Sequence, residues 1–205
     1  MNNVNKQMTH RQKQALATRT LIVDTSRRLF LEQGYGVTTI EAIATEAGVA
    51  VSTVYAIFKN KRGILQAIRQ AWHEESGQAS IYQSALDQPD AAKRLALAAH
   101  ATRRQWETGA AMIAIYKGAA ATDAEAATEL EASLASRRHN LSQFITTSAP
   151  LLNPDLTQAQ AAAIFLALTH DEIYRELVEQ NSWTADAYEQ WLSQTLQQQL
   201  LLRSA

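Results

Sequence analysis

The segment Thr38–Lys61 places a glycine between two short apolar stretches, and this arrangement constrains the fold more than any other feature of the sequence. Before the glycine, the pattern Thr38-x-x-Glu41 predicts a helix N-terminus at which the two side chains accept hydrogen bonds from each other's backbone N–H. Gly48 can adopt a left-handed conformation that reverses the chain within a few residues. A second short helix is then predicted over 50–58, so the segment predicts two short helices joined by a tight turn.

Apolar residues with helical spacing predict further helices on both sides of this segment. One runs from Thr18 to the residues before Gly34, and another runs over 60–76 with Asn60 as its N-cap. The remaining predicted helices cover 89–107, 110–118, 123–148, 157–180 and 184–202, with a break near Gly109, a helix end at Gly118, and N-caps at Asp123, Thr157 and Thr184. Three prolines and seven glycines leave few turn signals for strands. The sequence therefore predicts an all-α protein of about nine helices.

Charge divides the chain into two parts with different expected partners. Residues 1–70 contain ten Lys and Arg against four Asp and Glu, whereas residues 71–205 contain nine against sixteen. A basic module suits a polyanion such as DNA, which would repel the acidic remainder. The charge pattern therefore predicts that the N-terminal part binds DNA and that the acidic remainder faces away from the phosphates.

Composition and motifs argue against several other classes of function. With no cysteine, the chain has no disulfide framework and no thiolate chemistry. We find neither a Gly-rich phosphate loop nor a nucleophile elbow nor a His-Glu-x-x-His motif, and the five histidines lack helical pairing. We therefore expect no catalytic residues, no metal and no cofactor. Without an apolar stretch long enough for a membrane or a signal peptide, we expect a cytoplasmic protein with no membrane partner.

The second helix of the glycine-centred segment has the features of a helix that reads DNA. Such a helix enters a major groove about 12 Å wide, so small or hydrogen-bonding residues are needed near its exposed N-terminus. Val51, Ser52 and Thr53 meet this demand. Val54 and Phe58 are expected to point inward. The helix lacks Arg, Asn and Gln, so we expect thymine methyl contacts and DNA shape to contribute more than bidentate base contacts.

Residues spread over about 15–75 keep the order and spacing found in one known family. They are Ile22, Phe30, Gly34, Thr38, Thr39, Ile43, Ala44, Ala47, Gly48, Val49, Thr53, Tyr55, Phe58, Asn60, Lys61 and Leu65. In these residues the chain resembles the tetracycline-repressor (TetR) family. The resemblance implies a homodimer with an N-terminal three-helix DNA-binding domain over 15–75 and a C-terminal helical ligand-binding and dimerisation domain over 76–205. Ala50 departs from the family pattern, because alanine cannot cap the recognition helix.

The resemblance and the physical demands of DNA binding together give a predicted interface with DNA. Its residues are Thr38, Thr39, Val51, Ser52, Thr53, Tyr55, Lys59 and Lys61. Tyr55 is expected to reach a phosphate. Basic residues near the N-terminus are expected to assist at a phosphate or in the minor groove, namely Lys6, Arg11, Lys13 and Arg19.

The C-terminal part offers weaker signals for dimerisation and ligand binding. A two-fold symmetric operator requires two copies of the DNA-binding module at fixed spacing. The candidate dimer residues are Ala161, Phe165, Leu168, Tyr188, Trp191, Leu192 and Leu196, for which an intrachain core is the alternative. The candidate ligand-pocket residues are His100, Trp106, Met112, Tyr116, Phe144, His170 and Tyr174, for each of which a core or surface position is the alternative. For the pairs Arg103-Arg104 and Arg137-Arg138 a surface position is favoured, and binding of an anion is the alternative.

Together these features predict a sequence-specific transcriptional regulator that binds double-stranded DNA as a homodimer at a palindromic operator. We expect a repressor, released when a small apolar effector binds the central helices and the helix 60–76 shifts. One alternative is a dimeric DNA-binding regulator with no small-molecule ligand, whose C-terminal domain is a scaffold or binds a protein. A structural bundle with an inactive DNA-binding module is a further alternative, disfavoured by Thr53, Tyr55 and Lys61 and by the basic charge of 1–70.

Overall fold

A computed structural model describes residues 9–202, and every regular element in that range is helical, which confirms the all-α prediction. The α-helices are α1 (His10–Gln33), α2 (Ile40–Glu46), α3 (Val51–Phe58), α4 (Lys61–Ser76), α5 (Gln78–Leu86), α6 (Ala91–Ala120), α7 (Ala124–Ser148), α8 (Gln158–Leu168), α9 (Asp171–Tyr174) and α10 (Ala185–Leu200). A 3₁₀ turn follows α7 at Ala149–Leu151, and a π-helical segment, Arg175–Gln180, continues α9.

Capping side chains set most helix beginnings, because the first N–H groups of a helix have no intrahelical partner. The predicted caps Asn60, Asp123, Thr157 and Thr184 each accept a hydrogen bond from the backbone N–H three residues later. Helix α1 begins at His10 rather than at Thr18, since Thr9 and Gln12 form a reciprocal capping box. Gly34, with φ of 92°, ends α1 as predicted.

The predicted cap of α2 is wrong by one residue. Thr39, not Thr38, is the N-cap, and its hydroxyl accepts the N–H of Ala42 at 3.1 Å. Thr38 is buried, and its hydroxyl donates to the carbonyl of Gly34 at 2.8 Å. The hydroxyl of Thr38 therefore stabilises the loop between α1 and α2 instead of the helix terminus.

Gly109 does not interrupt a helix, because α6 continues through it. A β-carbon at this position would overlap Nε1 of Trp72, which donates to the carbonyl of Gln105 at 3.2 Å. The glycine lets the indole pack against the helix backbone. The predicted break is wrong because glycine occurs both where a helix ends and where another element packs closely against a helix. The local sequence does not distinguish these two uses.

Three other predictions of helix extent are also wrong. Helix α5 was not predicted, and α6 continues past Gly118 to Ala120. The helix predicted over 157–180 is two segments, which separate at Thr169 and His170. His170 begins the second segment as an N-cap, accepting the N–H of Glu172 at 3.4 Å.

The described residues form two compact units. The first unit extends to Ala71 and includes Ala114–Ala127, while the second comprises Trp72–Ile113 and the residues from Thr128 onward. The boundary between functional domains near residue 75 stays a prediction. The inclusion of Ala114–Ala127 in the first unit is a tertiary feature that local sequence patterns do not indicate.

Each unit has a core of buried apolar side chains. In the first unit this core includes Ile22, Phe30, Ile43, Val54, Phe58, Ile64, Leu65 and Ile68. In the second unit it includes Leu95, Trp106, Phe144, Ile145, Phe165, Tyr188, Leu192 and Leu196. Leu21, which follows the helical pattern of the first core, is nevertheless 48% exposed. Burial of this apolar area is the main force that holds each unit together.

Among residues 9–202, no single helix has the length and apolarity needed to cross a membrane. Helices α2 and α3 reach that length and composition only when they are taken together, and they are bent by 113° at the break between them.

The close contact at Gly109 predicts that Gly109→Ala lowers the free energy of unfolding by about 1–3 kcal/mol, because the added methyl group would overlap the Trp72 indole. Gly118→Ala on the same helix is the matched control, since a methyl group there would meet no neighbouring atom within 4 Å and alanine favours helix. Urea denaturation measures both, and a Gly109→Ala protein as stable as the Gly118→Ala protein would contradict the packing described.

Candidate functional site

Helices α2 and α3, with the turn between them, form a helix-turn-helix in the first unit. Gly48 has φ of 65°, and the N–H of Val49 donates to the carbonyl of Ala44 at 2.9 Å, which closes the turn. Val54 and Phe58 are buried, as predicted. They fix α3 in the apolar core by one face and leave its opposite face exposed.

Most of the predicted DNA-binding residues lie on or beside this exposed face. Ser52, Tyr55 and Lys59 are exposed, and Val51 and Thr53 are half-buried. The Tyr55 side chain is 46% exposed, which leaves its phenol free to meet a partner. Thr39 is exposed at the start of α2, although its hydroxyl also caps that helix. Ala50 makes no side-chain cap for α3, as predicted.

Two residues that were predicted to contact DNA, Thr38 and Lys61, make contacts within the first unit. Thr38 is 1% exposed, so its side chain is not at the surface. The Lys61 ammonium donates to the carbonyls of Tyr35 at 2.6 Å and Thr38 at 3.0 Å, and it lies 4.3 Å from the centre of the Tyr35 ring. Burial lowers the pKa of Lys61, and the nearby charge of Asp123 opposes this shift. Lys61 thus holds the α1–α2 loop, and its predicted contact with a phosphate stays a prediction.

Acidic side chains neutralise part of the positive charge that the sequence places in the first 70 residues. Arg28 pairs with Glu32 at 3.2 Å and also with Glu46. Arg62 pairs with Asp123 at 3.8 Å and with Glu125. Sequence reasoning missed the Arg62 pairs because they require the distant segment Ala114–Ala127 to join this unit.

The basic residues of α1 that were predicted to assist in DNA binding are partly accessible at the surface. Arg11 and Lys13 are exposed, and the guanidinium of Arg19 lies 5.6 Å from the centre of the Phe58 ring. Lys6 lies outside the described residues. The accessible positive charge therefore concentrates on Lys59 and the start of α1.

The predicted pocket residues do not form one group. Trp106, Phe144 and Tyr174 belong to the hydrophobic cluster of the second unit. Tyr116 belongs to the first unit, where its hydroxyl donates to the carbonyl of Leu65 at 3.4 Å, and Met112 is buried in the second unit. His100 is half-buried, with Nδ1 3.0 Å from Glu189 Oε2.

His170 is exposed at the start of α9. Its Nδ1 lies 3.0 Å from a carboxylate oxygen of Asp171. In this position the side chain serves the helix terminus, and it faces solvent rather than the hydrophobic cluster.

Arg137, for which the sequence favoured a surface position over anion binding, packs against the hydrophobic cluster of the second unit. Its Nη2 donates to the carbonyl of Thr169 at 2.6 Å, and its guanidinium lies 5.1 Å from the centre of the Trp106 ring. Trp106 Nε1 donates to the same carbonyl at 3.0 Å. Arg138, the next residue, is exposed.

Five of the candidate dimer residues are buried within the chain: Ala161, Phe165, Tyr188, Leu192 and Leu196. They form part of the hydrophobic cluster of the second unit, which corresponds to the intrachain alternative. Leu168 and Trp191 are half-buried. The position of a dimer interface stays a prediction.

Comparison with known proteins adds independent information on the first unit. Residues 22–68 match the model of a family described as bacterial regulatory proteins, tetR family. An uncharacterised helix-turn-helix transcriptional regulator of Bacillus subtilis (strain 168), YvkB, is 37% identical over 51 residues. That match covers 25% of this chain and 27% of YvkB, so it spans about a quarter of the length of the relative.

Solved structures share the fold over most of the chain. A complex of SmeT with triclosan has a TM-score of 0.73 and 20% identity, with 92% of this chain and 93% of SmeT covered. FadR of Bacillus subtilis in complex with stearoyl-CoA has a TM-score of 0.64 and 19% identity, with 86% and 96% covered. At these identities the likeness shows the shared fold of the chains.

The internal position of Lys61 predicts that Lys61→Met lowers the free energy of unfolding by about 1–3 kcal/mol, because the loop carbonyls lose a charged donor. Lys59→Met is the matched control, since Lys59 is exposed and the substitution should leave stability nearly unchanged. Thermal and urea unfolding measure the difference. Equal stability of the two variants would show that the ammonium does not hold the loop.

Proposed function

We propose that this chain, whose residues 22–68 match the tetR family of bacterial regulatory proteins, is a homodimeric, sequence-specific DNA-binding transcriptional regulator. The observation that carries the proposal is the exposed face of α3. Ser52 and Tyr55 lie on this face, and Lys59 follows directly after the helix. Val54 and Phe58 fix the opposite face in the core. A helix held in this way can enter the major groove as a rigid body.

The residues of this face divide into two roles. Thr39, Tyr55 and Lys59 contact phosphates, which sets the register of the protein on the duplex. Val51 and Ser52, at the start of α3, lie nearest the base edges. Since α3 carries no Arg, Asn or Gln, specificity comes from thymine methyl contacts and from DNA shape.

Dimerisation is proposed on the outward face of α8. Ala159, Ala163 and Ala167 are exposed and recur every fourth residue, so they form one uncharged stripe along the helix. Small side chains allow helices to approach closely, and a two-fold pair of α8 helices would hold two copies of α3 at fixed spacing.

The second unit is proposed to bind a small effector that releases the protein from its operator, so that the protein acts as a repressor. Triclosan and stearoyl-CoA, which accompany SmeT and FadR, are ligands of structures with this fold. Helix α4 runs from Lys61 in the first unit to Ser76 in the second, and a shift of this helix is the proposed route of coupling. Coupling requires only that the effector prefer the released state, by about 1.4 kcal/mol for a tenfold loss of operator affinity.

A regulator without a small-molecule ligand is the second candidate. The predicted pocket residues Trp106, Phe144 and Tyr174 pack together in the core of the second unit, and such packing also suits a scaffold.

The DNA-binding proposal is tested with a duplex selected from a random pool by the wild-type chain. Tyr55→Ala should weaken binding about tenfold or more, because a phosphate loses a hydrogen bond. Lys59→Ala should weaken it and reduce the slope of log affinity against log salt by about 0.9, the value for one phosphate contact. Fluorescence anisotropy at several salt concentrations measures both.

Lys93→Ala, an exposed lysine on α6, is the matched control and should bind as the wild type does. If Tyr55→Ala and Lys59→Ala bind the duplex as tightly as Lys93→Ala, the exposed face of α3 is not the DNA-binding surface.

The dimer proposal predicts that Ala163→Arg converts a dimer into monomers, because a long charged side chain would separate the two α8 helices. Ser136→Arg, at an exposed position of α7, should remain dimeric. Sedimentation velocity distinguishes the two states. A dimer that persists in Ala163→Arg would place the interface elsewhere.

A further inference from the structure

In the part of the chain that the structure describes, two polar groups that border the hydrophobic cluster of the second unit have no hydrogen-bond partner. They are the Nε of Arg137 and the hydroxyl of Tyr188, both of which are inaccessible to solvent. Tyr188 as a whole is 0% exposed. A buried polar group without a partner costs about 1–3 kcal/mol, and phenylalanine at position 188 would avoid this cost. The fold alone therefore gives no reason for the Tyr188 hydroxyl.

The structural role of Arg137 accounts for only part of its guanidinium. Its Nη2 donates to both the carbonyl and the hydroxyl of Thr169, at 2.6 and 3.2 Å, and thereby satisfies the end of α8. Nε takes no part in this contact. Arg94, another inward-facing arginine, uses Nε, Nη1 and Nη2 together, donating to Gln88, Ser148 and Leu86. The open Nε of Arg137 thus differs from the fully satisfied guanidinium of Arg94, and unlike Arg103 Nε, which lies 3.5 Å from Glu107, it has no carboxylate beside it among the described residues.

The positive charge of Arg137 also lacks a direct counter-ion. Among residues 9–202, no carboxylate lies within ion-pair distance of its guanidinium, whereas Arg103 pairs with Glu107 and Glu189 at 3.5 and 3.1 Å. Burial lowers the pKa of Arg137, and the charge of Asp171, which lies beyond ion-pair distance, opposes this shift. An anion beside the guanidinium would offset the cost of burying its charge.

Arg137 and Tyr188 border the same hydrophobic cluster, because the Arg137 guanidinium lies 5.1 Å from the centre of the Trp106 ring and Trp106 packs in one cluster with Tyr188. Burial raises the pKa of Tyr188 and of Tyr82, and the charge of Arg137 opposes the shift in both, so the guanidinium is within electrostatic range of the two phenols. The surroundings are aromatic. The Tyr174 ring centre lies 4.9 Å from that of Tyr188, and the Trp106 ring lies beneath the guanidinium.

We infer that the second unit binds an apolar carboxylic acid, whose carboxylate accepts hydrogen bonds from Arg137 Nε and the Tyr188 hydroxyl while its apolar part lies among the aromatic rings. Two separate donors match the two oxygens of one carboxylate, whereas a phosphate would need more donors and would bring a larger charge into the core. The inference rests on the proposed effector-binding role of this unit and names the ligand class. Binding requires the aromatic side chains to make room for the acid.

The test titrates octanoate, decanoate and 3-phenylpropanoate, each beside the corresponding alcohol, into the full chain by isothermal titration calorimetry. At least one acid should bind, and it should bind about tenfold or more tightly than its alcohol, because only the acid neutralises Arg137. Arg137→Gln and Tyr188→Phe should each weaken binding of that acid about tenfold or more. Arg138→Gln, the exposed neighbour, should bind it as the wild type does.

Tyr188→Phe keeps the ring and removes only the unpartnered hydroxyl, so its midpoint of thermal unfolding should equal or exceed that of the wild type. A loss of acid binding in this variant then reports on the site and not on folding. If Arg137→Gln fails to fold because Thr169 loses its donor, Tyr188→Phe decides the question. The inference is overturned if none of the acids binds, if acid and alcohol bind equally, or if Tyr188→Phe binds as Arg138→Gln does.

Operator affinity is measured separately on the selected duplex, with and without the acid. A carboxylate that binds through Arg137 and Tyr188 but leaves operator affinity unchanged supports the site and contradicts release by an effector of this class. Intact operator binding together with no acid binding overturns the site and leaves the DNA-binding proposal standing.

Discussion

The first unit depends on the turn that joins α3 to α4. Lys59 there has a positive φ of 66°, and the backbone passes so close to α4 that a β-carbon on Gly63 would collide with the carbonyl oxygen of Phe58. Asn60 caps α4 by accepting the N–H of Gly63 at 2.9 Å. From the next position, Lys61 reaches back to the loop before α2. These contacts fix the direction of α3, and the exposed face that we propose for DNA binding follows from that direction.

The two units use charged side chains in different ways. In the first unit, acidic residues and loop carbonyls satisfy much of the positive charge, as Arg62 and Lys61 show, so that few cations remain for DNA. In the second unit, Arg94 is fully engaged by neutral groups and Arg137 is not. A stable core rarely keeps an unpaired charge without a reason, and a ligand that supplies the missing anion would make the stability of this unit depend on what it binds.

The sequence could predict what local chemistry determines. Helical spacing, the reversal at Gly48 and the caps at Asn60 and Thr184 all depend on neighbours within a few residues, and the structure contains each of them. The features that the sequence did not predict depend on contacts between residues that are far apart in the chain. Gly109 is a packing position because Trp72 lies against it, and the burial of Arg137 depends on Thr169, 32 residues away. Nothing in the neighbourhood of either residue distinguishes these roles from a helix break or a surface arginine.

Hydroxyl-radical footprinting of the full chain on a selected duplex would decide whether the protein reads DNA as a dimer, because it reports where two copies of α3 meet the DNA backbone. A dimeric reader should give two protected patches related by a two-fold axis, with centres about one helical turn, roughly 34 Å, or a multiple of it apart. A single protected patch, or uniform weak protection along the duplex, would contradict a dimeric reader built on α3.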